Sequence, residues 1–276
     1  MTDGADGVAT IRGAQVAWTT LGDSAGSGTP FVWGHGLTSS RGTEAEFSLV
    51  NFADLATQTP VVRYDARGHG ESELTSDLDA YSWDQMALDQ IGLCDSLGID
   101  TWVSAGASLG AATAIHAAVV APERVRALVL VIPPTGWETR AAQTDMYEQM
   151  AQIIEKRGMA TLARATPPPP PDPFADDDAW AKRRTDGLLA ADPVRLATLF
   201  RGARTANLPS REEVSAIAVP ALILAWTGDS GHPVSSAEEL DALLPDSELH
   251  LASTLEQFAG WTGLIRDFLS RLGVAQ

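Results

Sequence analysis

Residues 104–110 read SAGASLG, with Ser108 between Gly106-Ala107 and Leu109-Gly110. An apolar run, TWVSAG (101–106), comes before it. A small-residue helical pattern, SLGAATAIHAAVVAP (108–122), follows. A sharp strand-to-helix turn holds its central serine in a strained backbone and presents the hydroxyl at the C-terminal edge of a sheet. Strand and helix then approach closely, and Gly106 and Gly110 supply the room. The pattern predicts Ser108 as a nucleophile. The competing reading is a tight turn without chemistry.

The rest of the chain supplies the sheet that such a turn needs. FVWG (31–34), VVRYD (61–65), RALVLVI (126–132), ALILAW (221–226) and SELHLA (247–252) read as further strands. Most show little alternation, as expected for strands covered on both faces. Helical patterns separate them, for example WDQMALDQIGLCDSLG (83–98). Strands alternating with helices predict an α/β fold with a mostly parallel sheet and helices on both faces.

Residues 136–215 break this rhythm. Two or three helical patterns flank TPPPPPDPFADDD, whose consecutive prolines cannot continue a helix. The expected organisation is a core of 1–135 and 216–276 with a helical lid at 136–215, the prolines serving as a spacer within it. The tail TLEQFAGWTGLIRDFLSRL (254–272) reads as one amphipathic helix, with Ser253 and Glu256 placed as a capping box.

Bulk composition excludes several classes. The 276 residues carry a net charge of −17. Nucleic acid is therefore not an expected partner, because phosphate binding needs a basic footprint. The single cysteine, Cys94, allows no intrachain disulfide, which suits a cytoplasmic location. The N-terminus MTDGADGVAT has neither the basic region nor the apolar run of a signal peptide, and no stretch has the length of a membrane span. The histidines show no metal-ligand spacing, and there is no nucleotide-binding glycine motif. Neither a metal nor a cofactor is expected.

A second glycine-rich stretch, VWGHGLTSS (32–40), follows the strand FVWG. It turns tightly above the sheet, so that the Leu37 N–H faces a developing oxyanion. The Leu109 N–H, at a helix N-terminus just after the serine, is the second expected donor. His35 props this loop or contacts substrate.

In these ordered pieces the chain resembles the α/β-hydrolase family. The resemblance rests on GHGLTSS, VVRYDARGHGES (61–72), GASLG, APERVRALVLV (121–131) and VPALILAWTGDSGHPVSSAEEL (219–240), and covers most of the chain outside 136–215. It implies a triad in the order Ser, Asp or Glu, His. Asp229, opening D-x-x-x-P after the strand ALILAW, fits the acid, with Glu138 in reserve. His69 matches a structural turn.

The third member departs from the pattern. The family's histidine normally follows the final strand, yet all five histidines, His35, His69, His116, His232 and His250, lie before residue 251. His232, on the acid loop itself, and His250, inside the last strand, are the substitutes. A chain without a histidine base is the third possibility. His116, two turns into the helix after Ser108, is expected to pack.

The leading expectation is a small-molecule hydrolase acting on an ester, lactone or similar acyl bond. Ser108 is the nucleophile, with Asp229 and His232 managing the proton and Leu37 and Leu109 as oxyanion donors. Trp137, Met146, Tyr147, Met150 and Trp180 of the lid are the candidates to line a pocket for a small apolar or aromatic acyl substrate, and each also reads as ordinary lid core. The alternatives are a non-hydrolytic enzyme on the same fold (a lyase, isomerase or cyclase) and a catalytically silent binding protein. A homodimer through the lid is compatible with the sequence, and no membrane partner is expected.

Overall fold

The computed structural model describes residues 4–22, 28–44, 49–165 and 169–274. Eight strands form one sheet: β1 (Ala5–Ile11), β2 (Ala14–Leu21), β3 (Phe31–Gly34), β4 (Val61–Tyr64), β5 (Trp102–Ala107), β6 (Val125–Val131), β7 (Ala221–Trp226) and β8 (Ser247–Ala252). Their order is β1-β2-β4-β3-β5-β6-β7-β8. β1 and β2 form an antiparallel hairpin, β2 pairs antiparallel with β4, and every other pairing is parallel. The expected α/β architecture is thus present, with a first hairpin, β1–β2, beyond the strands expected from the sequence. The hairpin has its own local cause. Arg12 and Gly13 both take positive φ, 48° and 80°, the two-residue turn that matches strand twist.

The helices are α1 (Phe52–Leu55), α2 (Trp83–Ser96), α3 (Leu109–Val120), α4 (Arg140–Arg157), α5 (Met159–Arg164), α6 (Asp178–Ala190), α7 (Pro193–Gly202), α8 (Arg211–Ser215), α9 (Val234–Leu243), α10 (Leu255–Ala259) and α11 (Trp261–Arg271). Strand side chains alternate between two apolar layers. Leu128 and Leu130 of β6 meet Met86 and Leu93 of α2, the alanines of α3, and Leu240 of α9. Ala127, Val129 and Val131 meet Leu55 of α1, Phe258 of α10, and Ile265 and Leu269 of α11. Both faces of the sheet are therefore covered, as the lack of alternation in the strands requires. Among the described residues no helix is long and apolar enough to cross a membrane.

Between β6 and β7 the chain builds a separate helical layer. Ala151, Ile154, Leu162, Leu196, Ala197 and Phe200 form its own small core. Arg195 fastens it to the sheet domain by donating to the Gly68 and Ser72 carbonyls at 3.0 and 2.8 Å. Arg140 ties the start of α4 to the chain after α7 through the Ala203 and Ala206 carbonyls at 2.6 and 2.8 Å, and lies over the Trp83 ring at 4.3 Å. Within the span 136–215, α8 belongs structurally with the core, since Val214 is buried in the layer shared with α3 and α9. Of the proline run, Pro167 and Pro168 lie outside the described residues. Pro169–Pro171 lead into a single 3-10 turn, Asp172–Phe174, which docks on the loop after β7 through Asp172 N–H and the Thr227 carbonyl at 2.8 Å.

The tail differs from expectation in two details. It is two helices, α10 and α11, meeting at Gly260. The capping box is one residue later than expected: Thr254 caps, and Gln257 answers it.

Candidate active site

The site begins with three glycines. Gly34 ends β3, Gly106 lies beside it in register on β5, and Gly110 opens α3. A Cβ on Gly34 would lie 3.1 Å from the Gly110 Cα, and one on Gly106 would lie 2.6 Å from the Gly34 carbonyl oxygen. A Cβ on Gly110 would overlap that oxygen outright. Strand, strand and helix therefore meet at backbone distance, and only glycine permits it. The Gly110 N–H donates to the His35 carbonyl at 3.1 Å, tying the loop after β3 to the first turn of α3.

Ser108 lies at this junction with φ 52° and ψ −110°. Such a backbone is rare for a non-glycine residue and costs roughly 1–3 kcal/mol. The Ser108 N–H is held by the Val131 carbonyl at 3.0 Å, and its own carbonyl accepts from Ala112 at 3.0 Å. The turn is clamped from β6 and from α3, leaving the hydroxyl half-exposed at the sheet edge.

Gly36 comes within 3.7 Å of the Ser108 Cβ when a Cβ is placed on it. The loop that carries Leu37 thus lies against the serine. Neither the Leu37 N–H nor the Leu109 N–H has an acceptor among the described residues. Both donors lie on segments that adjoin Ser108, one of them at the N-terminus of a twelve-residue helix, the kind of group that can receive developing negative charge.

His35 and His69 hold this loop from below. His35 is fully buried, donates from Nδ1 to the Gly36 carbonyl at 2.8 Å and accepts the Ala66 N–H at Nε2 at 3.0 Å. Burial, with the neighbouring His69 adding to it, drives its pKa down to about 3, so the ring is neutral. Its place among the expected substrate contacts is corrected here: both nitrogens are engaged and no surface is exposed. His69 places Nε2 2.8 Å from the Leu37 carbonyl and Nδ1 2.9 Å from that of Arg67, and burial lowers its pKa also. It serves the turn after β4, as expected.

The acid loop joins β7 to α9. Asp229 Oδ2 accepts His232 Nδ1–H at 2.8 Å and the Trp226 indole N–H at 2.9 Å, while Oδ1 accepts the Gly231 N–H at 2.8 Å. Burial pushes this carboxyl up, but the hydrogen bond and charge of His232, together with the Trp226 and Gly231 donors, bring it well below the usual carboxylate range. Across the site, His232 Nε2 lies 2.9 Å from Ser108 Oγ. Ser108, His232 and Asp229 thus form one continuous chain of hydrogen bonds. Asp229 fixes the Nδ1–H tautomer, which leaves Nε2 free to accept the serine proton.

The other acids and bases lie elsewhere. His250 sits in β8 opposite Leu224, with its ring 3.6 Å from Glu248. His116 Nε2 meets the Asn207 carbonyl at 2.8 Å. Glu138 is an exposed partner of Arg211, which holds its carboxyl at about 2. After β8, where the resemblance implies a histidine, Thr254 and Gln257 cap α10 instead.

The expected lid contacts divide. Tyr147 stacks on Phe200 at 5.6 Å, and Tyr147 and Met150 pack against the same cluster as Leu37, which brings them to the oxyanion loop. Met146 is half-buried on the same helix. Trp137 is a correction. Its indole donates to the Pro209 carbonyl at 2.8 Å, its ring lies under Arg211, and it packs on the core. It anchors the base of the helical layer between β6 and β7. Trp180 stacks on Phe174 at 4.2 Å and meets Trp226 edge-on at 5.8 Å, so it buttresses the acid loop. Sequence reasoning missed Trp226 as a partner of Asp229. An indole at the last position of the strand, three residues before the acid, was the available sign.

Among the described residues no group of three or more His, Cys, Asp or Glu is placed to hold a metal ion. Residues 29–263 match the model of the alpha/beta hydrolase fold family. The chain is 28% identical over 231 residues, 81% of this chain and 82% of the relative, to a protein of Azorhizobium caulinodans named "Putative carbamate hydrolase RutD". It is 30% identical over 221 residues to the protein of that name from Escherichia coli O1:K1, covering 77% of this chain and 79% of the relative. The enol-lactonase of Burkholderia xenovorans LB400 superposes with a TM-score of 0.80 at 24% identity, covering 96% of this chain and all of that one. On the family model and these relatives together, the chain belongs to the alpha/beta hydrolase fold family.

Proposed function

We propose that the protein is a serine hydrolase of small acyl compounds, with Ser108 as nucleophile, His232 as general base and Asp229 as the acid that orients it. The observation that carries this reading is the unbroken relay of 2.8 and 2.9 Å from Asp229 through His232 to Ser108. Hydrolase names among the relatives support the reaction class, and point to an ester, lactone or carbamate as the bond cleaved.

In the forward step Ser108 Oγ attacks the acyl carbon while its proton passes to His232 Nε2. The tetrahedral oxyanion is received by the Leu37 and Leu109 N–H groups, each worth on the order of 10²–10³ in rate. His232 then returns the proton to the departing alcohol or amine. A water activated by His232 releases the acid and regenerates Ser108. Asp229 remains ionised and stabilises the imidazolium at each stage. Tyr147 and Met150 line the acyl side from the lid.

The test is a fluorophosphonate probe read by intact mass, on the wild type beside Ser108→Ala and His232→Ala. One adduct, absent in Ser108→Ala and strongly slowed in His232→Ala, is the expected result. Absence of any adduct on the wild type sinks the hydrolase reading. An adduct that persists at full rate in His232→Ala removes His232 as base.

A further inference from the structure

One cation of the helical layer between β6 and β7, Arg184, has no hydrogen bond or ion pair of its own among the described residues. α6 carries Trp180, Arg184 and Leu188 one turn apart, on one stripe of its surface. The two ends of that stripe are fixed by packing. Trp180 lies on Trp226, whose indole holds Asp229. Leu188 packs on the cluster that also receives Leu37, Tyr147 and Met150. The stripe therefore starts on the acid loop and ends on the cluster that Leu37 also meets, with the exposed Arg184 as its middle residue.

The neighbouring arginine behaves differently. Arg183 is tied to Asp177 at 2.7 Å. Arg184 has no hydrogen bond or ion pair among the described residues, yet it lies close enough to Asp229 to feel its charge. Arg184 is solvent-exposed, so partial desolvation lowers its pKa only against the opposing pull of Asp229, and the guanidinium remains charged. Asp229 does not neutralise it, since that carboxylate is already held by His232, Trp226 and Gly231.

The global field makes such a charge informative. A chain with a net charge of −17 repels anions over most of its surface. A cation beside the loop that carries Asp229 reverses that field locally. Its planar fork suits a carboxylate, bound through two parallel hydrogen bonds.

We propose that Arg184 anchors a carboxylate of the substrate, so that the preferred substrates are acyl compounds bearing a second, free carboxylate. This rests on the hydrolase reading for its chemistry, but the binding it asserts stands apart from turnover. The lid then has two roles: Tyr147 and Met150 meet the apolar part of the substrate, and Arg184 meets its charged end.

The test uses two chromogenic esters of similar size, mono-para-nitrophenyl succinate and para-nitrophenyl butyrate. Binding is measured by calorimetry in the Ser108→Ala background, with and without Arg184→Ala. The succinate ester is expected to bind at least about tenfold more tightly than the butyrate, the scale of one charge-assisted contact. That preference disappears in Arg184→Ala and returns in part with Arg184→Lys. An equal ratio with and without Arg184 overturns the proposal, as does failure of the succinate ester to bind. Fluorophosphonate labelling of the protein with native Ser108 reports on the hydrolase reading separately, so the two ideas fail by different results.

Discussion

His232 and Asp229 lie three residues apart on one loop, and Nδ1 of one meets Oδ2 of the other at 2.8 Å. A family that ordinarily draws its histidine from the loop after the last strand has here a carboxylate and an imidazole paired on a single turn. The loop makes this possible because Gly228 takes φ +81° before the aspartate, and Pro233 stops the turn and caps α9. Asp229→Asn is expected to lower kcat by on the order of 10³–10⁴-fold, because the amide cannot hold the Nδ1–H tautomer as the carboxylate does. The initial rate of hydrolysis of para-nitrophenyl butyrate checks it. A loss of less than tenfold would mean that the short loop orients His232 without the carboxylate.

Trp226 supplies a milder test of the same relay. Its indole N–H is one of three donors on Asp229, and its ring stacks on Trp261 at 5.8 Å. Trp226→Phe retains an aromatic ring and removes the donor. A hydrogen bond to a charged group is worth roughly 1.5–3 kcal/mol, so kcat should fall about tenfold or more with KM little changed. Steady-state kinetics on the same ester separate the two constants. A change confined to KM would show that Trp226 acts through the shape of the lid.

The elements that were legible in the sequence are those whose cause is local. The turn at Ser108 could be read because strand, glycines and small-residue helix adjoin it in the chain, and the loop carrying Leu37 because it holds its own glycines. His232 could be placed only as one of three alternatives, since three residues of separation permit either a salt bridge that ends at Asp229 or a ring that also reaches Ser108. Which of these forms depends on where β5 and β7 set their ends, with β6 between them. Trp137 and Trp180 could be read either as pocket lining or as ordinary packing for the same reason. A lid aromatic reads alike whether it faces a pocket or the lid's own foundation, and its partners, Pro209 and Arg211 for one and Trp226 for the other, are distant in sequence.

The histidine pair beneath the oxyanion loop predicts acid sensitivity. His35 has a folded pKa of about 3 against 6.5 for the free side chain. A depressed pKa means that the unfolded chain binds the proton first. The stabilising contribution is complete above about pH 6.5 and is lost progressively as the pH falls toward 3. At pH 5 the loss from His35 alone is about 2 kcal/mol, and His69, also lowered, acts in the same direction. Urea unfolding at pH 7 and pH 5 measures it. His35→Gln, which keeps an acceptor for the Ala66 N–H, should show a pH dependence smaller by about that amount. Equal pH dependence in the two proteins would show that His35 is protonated in the folded state.

Glycine substitutions separate the two kinds of glycine in this chain. Gly187 lies within α6 with nothing near its Cβ position, so Gly187→Ala should stabilise the helix by roughly 0.8–1 kcal/mol. Gly110 also lies in a helix, but a Cβ there strikes the Gly34 carbonyl oxygen, which belongs to β3 and cannot move without breaking its pairing with β5. Gly110→Ala should therefore destabilise by at least about 3 kcal/mol, beyond the usual range for a single substitution of this size. It also pushes the His35–Leu37 loop away from Ser108, so any folded fraction should label with fluorophosphonate more slowly than the wild type. Thermal melts and labelling rates of the two variants, measured side by side, provide the comparison. If Gly110→Ala melted and labelled like Gly187→Ala, the three-glycine contact would not be what sets the distance between the oxyanion loop and the serine.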